Sequence, residues 1–591
     1  MMKVYTNHMG YNAEDGKRAV FGGREGVRAQ VFRVLDAQGH VAFEGKPTEV
    51  GNVANWQTDY YWTMDFTPVA QPGEYIIAVD TDAGEVRSLP FEVTGCIRDL
   101  RLINAVAYYF KAQRDSGEWA EADHHLPFQG EREGVVDGHG GWYDASGDYG
   151  IHMTHLSHTT VCNPQQASFT SYVFFRLEEL LAGDRQYSML RRRLLDEGSY
   201  GADFIMRMRA PSGSFFRSVQ RQNSYEPSSD NRNIGLEYTR SSGQFSVDHT
   251  APTADSEVVT DVNYETSMRA GGGTCIAALA VAARHPYPGT EFHTDEYLHS
   301  AKHAFAHLMR HNEAYCNDGQ WNLIDEFCAL LAAAELYKTS GELPYLLKAN
   351  DMADRVLARA EDMGDGGIWF MSRPGEPFCH AADEGLPVVA LLTLAELDPE
   401  NLETYVEAAE KAMRHVLAVT GKVGNPFGYA RYVHRTSDGG RAEKFFYYHD
   451  SPAAPWWQGD NARIASLASA AWMTAMYTQD KALAAQLDGF ARDQINWILG
   501  MNPFDACMIE GYGRNNIQYC FRGHYEFVNC PGGICNGITS RPDDEEGIFF
   551  LTEPTEEIKD NWRWAEQWIP HGTWFLLAMA LNRHLKAQQD G

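Results

Sequence analysis

The stretch WNLIDEFCALLAAAELYKTSG limits the fold most. Leu323, Phe327, Leu330, Leu331 and Ala334 recur at i, i+4, i+7, i+8 and i+11, which is one apolar helix stripe, and Gly341 closes the run. The pattern returns in HGTWFLLAMALNRHL through Trp574, Leu577, Ala578, Leu581 and Leu585. Similar segments lie near 171–183, 189–208, 264–285, 297–312, 345–360, 384–397, 402–418, 461–478 and 482–499. About a dozen helices without an exact solenoid repeat predict a helical barrel or toroid. Residues 1–95 read differently. AQVFRVLDAQGHVAFEG is strand, turn, strand, with Asp36 to Gly39 as the turn. GEYIIAVD puts Tyr75, Ile77 and Val79 on one face, and SLPFEVTG closes the β-rich text. A chain of 591 residues exceeds a single core. The expectation is a mainly α protein: an immunoglobulin-like β-sandwich over 1–95, then a helical domain over 96–591.

The net charge of −30 repels nucleic-acid backbones and anionic membranes. No stretch approaches the about 20 apolar residues that span a bilayer. The opening MMKVYTNHMGYNAEDGKRAV lacks the apolar run and cleavage site of an export signal, which predicts a cytoplasmic protein. The ten cysteines are scattered and read as reduced core residues. Cys507, Cys520, Cys530 and Cys535 lack the paired C-x-x-C spacing of a zinc site, so no metal ligand is assigned.

Residues 140–150 read GGWYDASGDYG. Asp, Gly and Ser form turns readily, so a plain turn is one reading. The other is a carboxylate pair, in which one of Asp144 and Asp148 takes a proton from water while the other holds that water. Trp142 and Tyr143 would then wall the site. A glycosidase also needs a protonated acid across the sugar. LTEPTEEIKDNWRWAEQWIPHG offers Glu553, Glu556, Glu557 and Glu566, and residue chemistry alone does not choose among them. Glu566 lies among Trp562, Trp564 and Trp568, where desolvation would raise a carboxyl pKa. Trp456 and Trp457 are candidates for stacking on a sugar face, with core packing as the competing role. His139 and His152 bracket the aspartate loop and read as structural.

These stretches together resemble glycoside hydrolase family nine, the inverting β-1,4-glycosidases with an (α/α)6 barrel behind an immunoglobulin-like domain. NHMGYNAEDGKRAVF resembles the opening strand of its N-terminal domain, and AVAYYFKAQRDSG its first barrel helix. GGWYDASGDYG resembles its catalytic loop, DEFCALLAAAELYKTSGELPYL one of its helices, and NWILGMNPFDACMIEGYGRN its late Gly-Asn-Pro block. The resemblance implies that Glu566 is the acid catalyst and that Asp144 and Asp148 are the paired aspartates. Asp148 is then the favoured base and Asp144 the favoured positioner of the water, with the order of the two open because coupled carboxylates titrate together. It implies no cofactor, and it allows a structural calcium.

The chain also departs from the family pattern. Ser146 is an extra residue, so the aspartates stand four apart rather than three. Ala565, Gly572 and Thr573 replace asparagine or alanine around the acid, and the usual Pro-His-His-Arg stretch is missing, with Arg522 and His524 in another order. These changes resemble a divergent cytoplasmic branch from marine vibrio-like bacteria that acts as an exo-β-D-glucosaminidase on short chitosan oligomers. A carboxylate should hold the amine of such a small oligosaccharide substrate, and Asp383 and Glu384, or Asp543 and Asp544, are the candidates. The alternatives are a cellobiase or endoglucanase and, from another class, a non-catalytic sugar-binding protein. The oligomeric state is not legible.

Overall fold

The computed structural model describes residues 2–58, 60–95, 97–146, 152–153, 161–221, 232–236, 261–316, 318–436, 438–447, 457–520 and 529–590.

Ten strands form the N-terminal sandwich: β1 (Lys3–Tyr5), β2 (Tyr11–Asn12), β3 (Arg18–Gly23), β4 (Ala29–Asp36), β5 (Val41–Gly45), β6 (Thr48–Gly51), β7 (Tyr60–Asp65), β8 (Gly73–Thr81), β9 (Gly84–Arg87) and β10 (Phe91–Thr94). One sheet runs β1-β3-β7-β6 and the other β2-β10-β8-β4-β5, with β9 on β8. Tyr75, Ile77 and Val79 alternate inward as expected and pack with Phe21, Phe32, Trp62 and Phe91. The turn between β4 and β5 closes where Gly39 takes φ 83° and donates to the Asp36 carbonyl. The sandwich is seated on the helical domain by Trp56, which packs on Phe427, Phe445 and Trp497.

Among the described residues fourteen helices follow: α1 (Ile97–Ala112), α2 (Gly117–Asp123), α3 (Ala167–Leu180), α4 (Ser188–Arg207), α5 (Gly273–Ala282), α6 (Thr294–Tyr315), α7 (Leu323–Ser340), α8 (Leu343–Ala358), α9 (Leu386–Ala395), α10 (Leu402–Gly421), α11 (Asn461–Tyr477), α12 (Lys481–Ile498), α13 (Trp562–Ala565) and α14 (Ile569–Asp590). Helices α3, α5, α7, α9, α11 and α14 touch in that order and close into an inner ring. Outside them α4, α6, α8, α10, α12 and α1 each back one inner helix. This is the (α/α)6 barrel.

The inner helices are buried on every side. All ten residues of α5 and all ten of α9 are buried, as helices apolar all round must be. Helix α7 carries the stripe expected from Leu323 to Ala334, and its opposite face is buried too, because α5, α8 and α9 surround it. Asn322 caps its start by accepting from the Ile324 and Asp325 amides, and Gly341 ends it at φ 68°, a left-handed position that glycine takes without strain. The helix expected over 264–285 starts later. Gly271, at φ 110°, breaks the regular geometry, and α5 begins only at Gly273.

Candidate active site

Glu566 terminates the one-turn helix α13, where its backbone turns extended (φ −60°, ψ 134°). The chain then runs through Gln567 and Trp568 into α14. The aspartate loop lies antiparallel along this short extended piece, with Ala145 bridged to Trp568. The Ser146 amide donates to the Gln567 carbonyl at 3.0 Å, and the Ile569 amide donates to the Asp144 carbonyl at 3.0 Å. The Gln567 amide donates to the Ser146 hydroxyl at 3.2 Å. The extra residue of the loop is thus a stitch between two segments 421 positions apart. These bonds hold the backbone of Asp144 to Ser146 alongside the segment that follows Glu566.

Asp144 is buried, and its Oδ1 accepts from the Trp568 indole at 3.2 Å and from the Gln166 side-chain amide at the start of α3. Glu566 is half-buried, and its Oε2 accepts from Asn536 Nδ2 at 3.4 Å. Asn536 is itself oriented. The Ala462 amide can only donate, and it donates to His571 Nδ1 at 2.7 Å. His571 Nε2 therefore carries the proton and donates to Asn536 Oδ1, also at 2.7 Å. Burial pushes the His571 pKa down to about 3, so the ring stays neutral across the working range. Tyr109 donates to the Gln567 carbonyl at 2.5 Å. Burial, with Cys530, Asp144 and Glu566 nearby, holds its phenol well above the ordinary range. Gln166, Asn536, His571 and Tyr109 were not singled out in the sequence. His571 stands five residues after Glu566 in the quoted EQWIPHG and was the one visible signal.

The remaining candidates separate. Asp148 and Trp456 lie outside the described residues, as do Arg522 and His524. Trp457 is brought beside α13: its carbonyl accepts from Arg563 at 2.8 Å, and its indole donates to the Ser540 hydroxyl at 3.0 Å. Trp142 does not wall a cleft. It is fully buried against Phe110, Phe174 and Tyr200, and it donates to Glu197. Tyr143 is likewise buried and points its hydroxyl at Asp115. The indoles around Glu566 do not form a common cage: Trp564 donates to the Phe549 carbonyl, while Trp568 serves Asp144. Glu553, Glu556 and Glu557 are exposed.

Glu384 is committed elsewhere. It pairs with the buried Arg463, which also pairs with Asp460 and stacks on Tyr432 at 3.3 Å, and burial lifts the Glu384 carboxyl to about 7. Asp383 accepts from the Gln165 amide at 2.8 Å and from the Trp574 indole at 2.8 Å. Burial lifts its carboxyl to about 7. The folded chain therefore holds this proton more tightly than the unfolded chain, and stability is lost as pH rises from about 4 toward 7. Asp383→Asn removes that term, so its melting temperature relative to the native chain is expected to rise from pH 5 to pH 8 in a thermal-denaturation series. Asp543 is exposed, and Asp544 accepts from Asn55 of the sandwich at 2.5 Å, in the hairpin of 539–541 and 544–549.

Among the described residues, His124, Asp137 and His139 form the one group of three or more ligating side chains close enough to share an ion, with their atoms within 4.8 Å of one another. Two imidazoles and one carboxylate suit a transition ion rather than calcium, which wants an all-oxygen shell. The late cysteines do not form such a group among the described residues. Among the described residues, no helix is long and apolar enough to cross a membrane.

Residues 101–531 match glycosyl hydrolase family 9, and residues 1–83 match the cellulase N-terminal Ig-like domain. Glu566 lies beyond the first match. No curated protein matches the chain. A solved family 9 structure from Bacteroides ovatus is similar over 99% of both chains, with a TM-score of 0.65 and 17% identity. A metagenome-derived family 9 endoglucanase is similar over 98% of both, with a TM-score of 0.63 and 17% identity. AaCel9A, solved with a cellobiose-like isofagomine, is similar over 98% of this chain and 99% of its own, with a TM-score of 0.61 and 16% identity. These likenesses speak for the fold, and the family match speaks for the chemistry. The chain belongs to glycosyl hydrolase family 9 and is a glycoside hydrolase.

Proposed function

We propose that the protein hydrolyses β-1,4-linked short oligosaccharides by single displacement with inversion. Glu566 gives its proton to the departing glycosidic oxygen. Asp148 takes a proton from the attacking water, and Asp144 fixes that water's position. No cofactor enters the steps. The observation that supports this reading most is the stitching of the aspartate loop to the segment following Glu566. It supports reading Asp144 and Glu566 as parts of one site, and inversion would set Glu566 roughly 6.5–9.5 Å from the base.

The substrate we favour is a chitosan oligomer, cleaved from its end by an exo-β-D-glucosaminidase of the cytoplasm, where only imported short sugars arrive. The net charge of −30 attracts an ammonium-bearing sugar. Ser146, the loop residue that departs from the family pattern, is built into the site. Glu384 is paired with Arg463, and we favour Asp383 over it as the amine partner. Asp383 is tied through the adjacent Gln165 and Gln166 to Asp144. Cello-oligosaccharides are the second reading, favoured by the endoglucanases among the structural neighbours. Comparing glucosamine dimer, its N-acetyl form and cellobiose at equal concentration decides between them. Glucosamine dimer should turn over fastest, and faster cellobiose cleavage would remove the glucosaminidase reading.

Asn536 offers a second check. Asn536→Asp sets a like charge against Glu566 and raises the pKa of the acid. Since the acid must be protonated to act, the alkaline limb of the kcat/KM profile should move to higher pH. An unmoved limb would mean that Glu566 is not the titrating acid.

A further inference from the structure

On the outer helix α6 the sequence places His299, His303, His307 and His311 at successive intervals of four. Residues i and i+4 of a helix share a face, and two histidines so spaced can grip one ion. The structure brings two of these rings together: the centroids of His307 and His311 are 4.9 Å apart, with planes inclined by 42°. The rings of His299 and His303 are 6.5 Å apart. His299, His303 and His311 are exposed and His307 is half-buried. Gly213, at φ 117°, lets the segment before β-structure 218–221 press onto this row. A side chain there would come within 2.9 Å of His307 Cγ and 3.0 Å of His303 Cε1.

His307 is oriented from behind. Its Nε2 lies 2.7 Å from the Tyr315 hydroxyl. Tyr315 is hydrogen-bonded to Glu265, which is buried and accepts from Ser212 as well. With the Tyr315 hydroxyl donating to Glu265, the Tyr315 oxygen accepts from His307 Nε2–H, and Nδ1 is left as the lone-pair nitrogen. A ligating histidine characteristically gives its other N–H to such a fixed acceptor.

We propose that His307 and His311 form a chelating site for a late first-row divalent ion, zinc or nickel, with His303 flanking it. Nitrogen donors select these ions over calcium and magnesium. The site shares no residue with Asp144 or Glu566, nor with the His124, Asp137 and His139 group.

The test is zinc titration of the full-length protein by calorimetry, in a His139→Ala background that removes the other nitrogen-rich group. One zinc should bind, and the melting temperature should rise with zinc and fall back with chelator. His311→Gln, an exposed change that leaves the core intact, should abolish both effects. Tyr315→Phe should weaken binding by about 10–100-fold. Absence of zinc binding in the His139→Ala protein, or equal binding with and without His311, would overturn the assignment.

Discussion

Glu566→Gln is expected to lower kcat/KM on an unactivated β-1,4-linked disaccharide by about 10²–10⁴-fold, with the fold retained. The amide has no proton to give to the leaving oxygen. It can still present a carbonyl oxygen to Asn536 Nδ2, so the surroundings of residue 566 need not move. The loss should shrink on an aryl glycoside, whose phenolate departs without help. That dependence on the leaving group separates a missing acid from a misfolded site. Circular dichroism and the melting temperature check the fold. Near-native hydrolysis of the disaccharide by Glu566→Gln would mean that another residue is the acid.

Asp148→Asn is expected to fall as far, but with the opposite signature. Its loss should be similar for aryl and sugar leaving groups, because it is the water that lacks a base. Azide, a small anion needing no deprotonation, should restore turnover in this variant and not in Glu566→Gln. Asp144→Asn is expected to fall less than Asp148→Asn. Gln166 and Trp568 both donate to Oδ1, and an asparagine carbonyl keeps those partners while losing the charge. A larger loss and azide rescue at Asp144 would exchange the roles of the two aspartates.

The helices were legible because apolar stripes repeat with the helical period, but their layering was not. Helix α7 shows why. Asp325, Glu326 and Glu335 make it read as amphipathic, yet all three are buried and matched by Arg269, Arg359 and Arg284 from other segments. A stripe reports one buried face, and a distant arginine hides the other. In the site, carboxylates could be nominated from local text and from a family resemblance. Their partners could not. Asn536 and Gln166 matter only through what the barrel places opposite them, and no spacing announces a hydrogen bond across 30 or 22 positions. Trp142 failed as a wall for the same reason. Its indole turns into the packing of α1, α3 and α4, which nothing in the local text announces. Ser146 shows the converse: a residue first legible as an insertion is a hydrogen-bonded stitch.

Direct displacement by water requires Glu566 opposite a pair of aspartates. Proton NMR of the first minutes of hydrolysis of the best substrate in the panel tests it most directly. The α-anomer of the released sugar should appear first and then mutarotate toward equilibrium. Initial release of the β-anomer would contradict it.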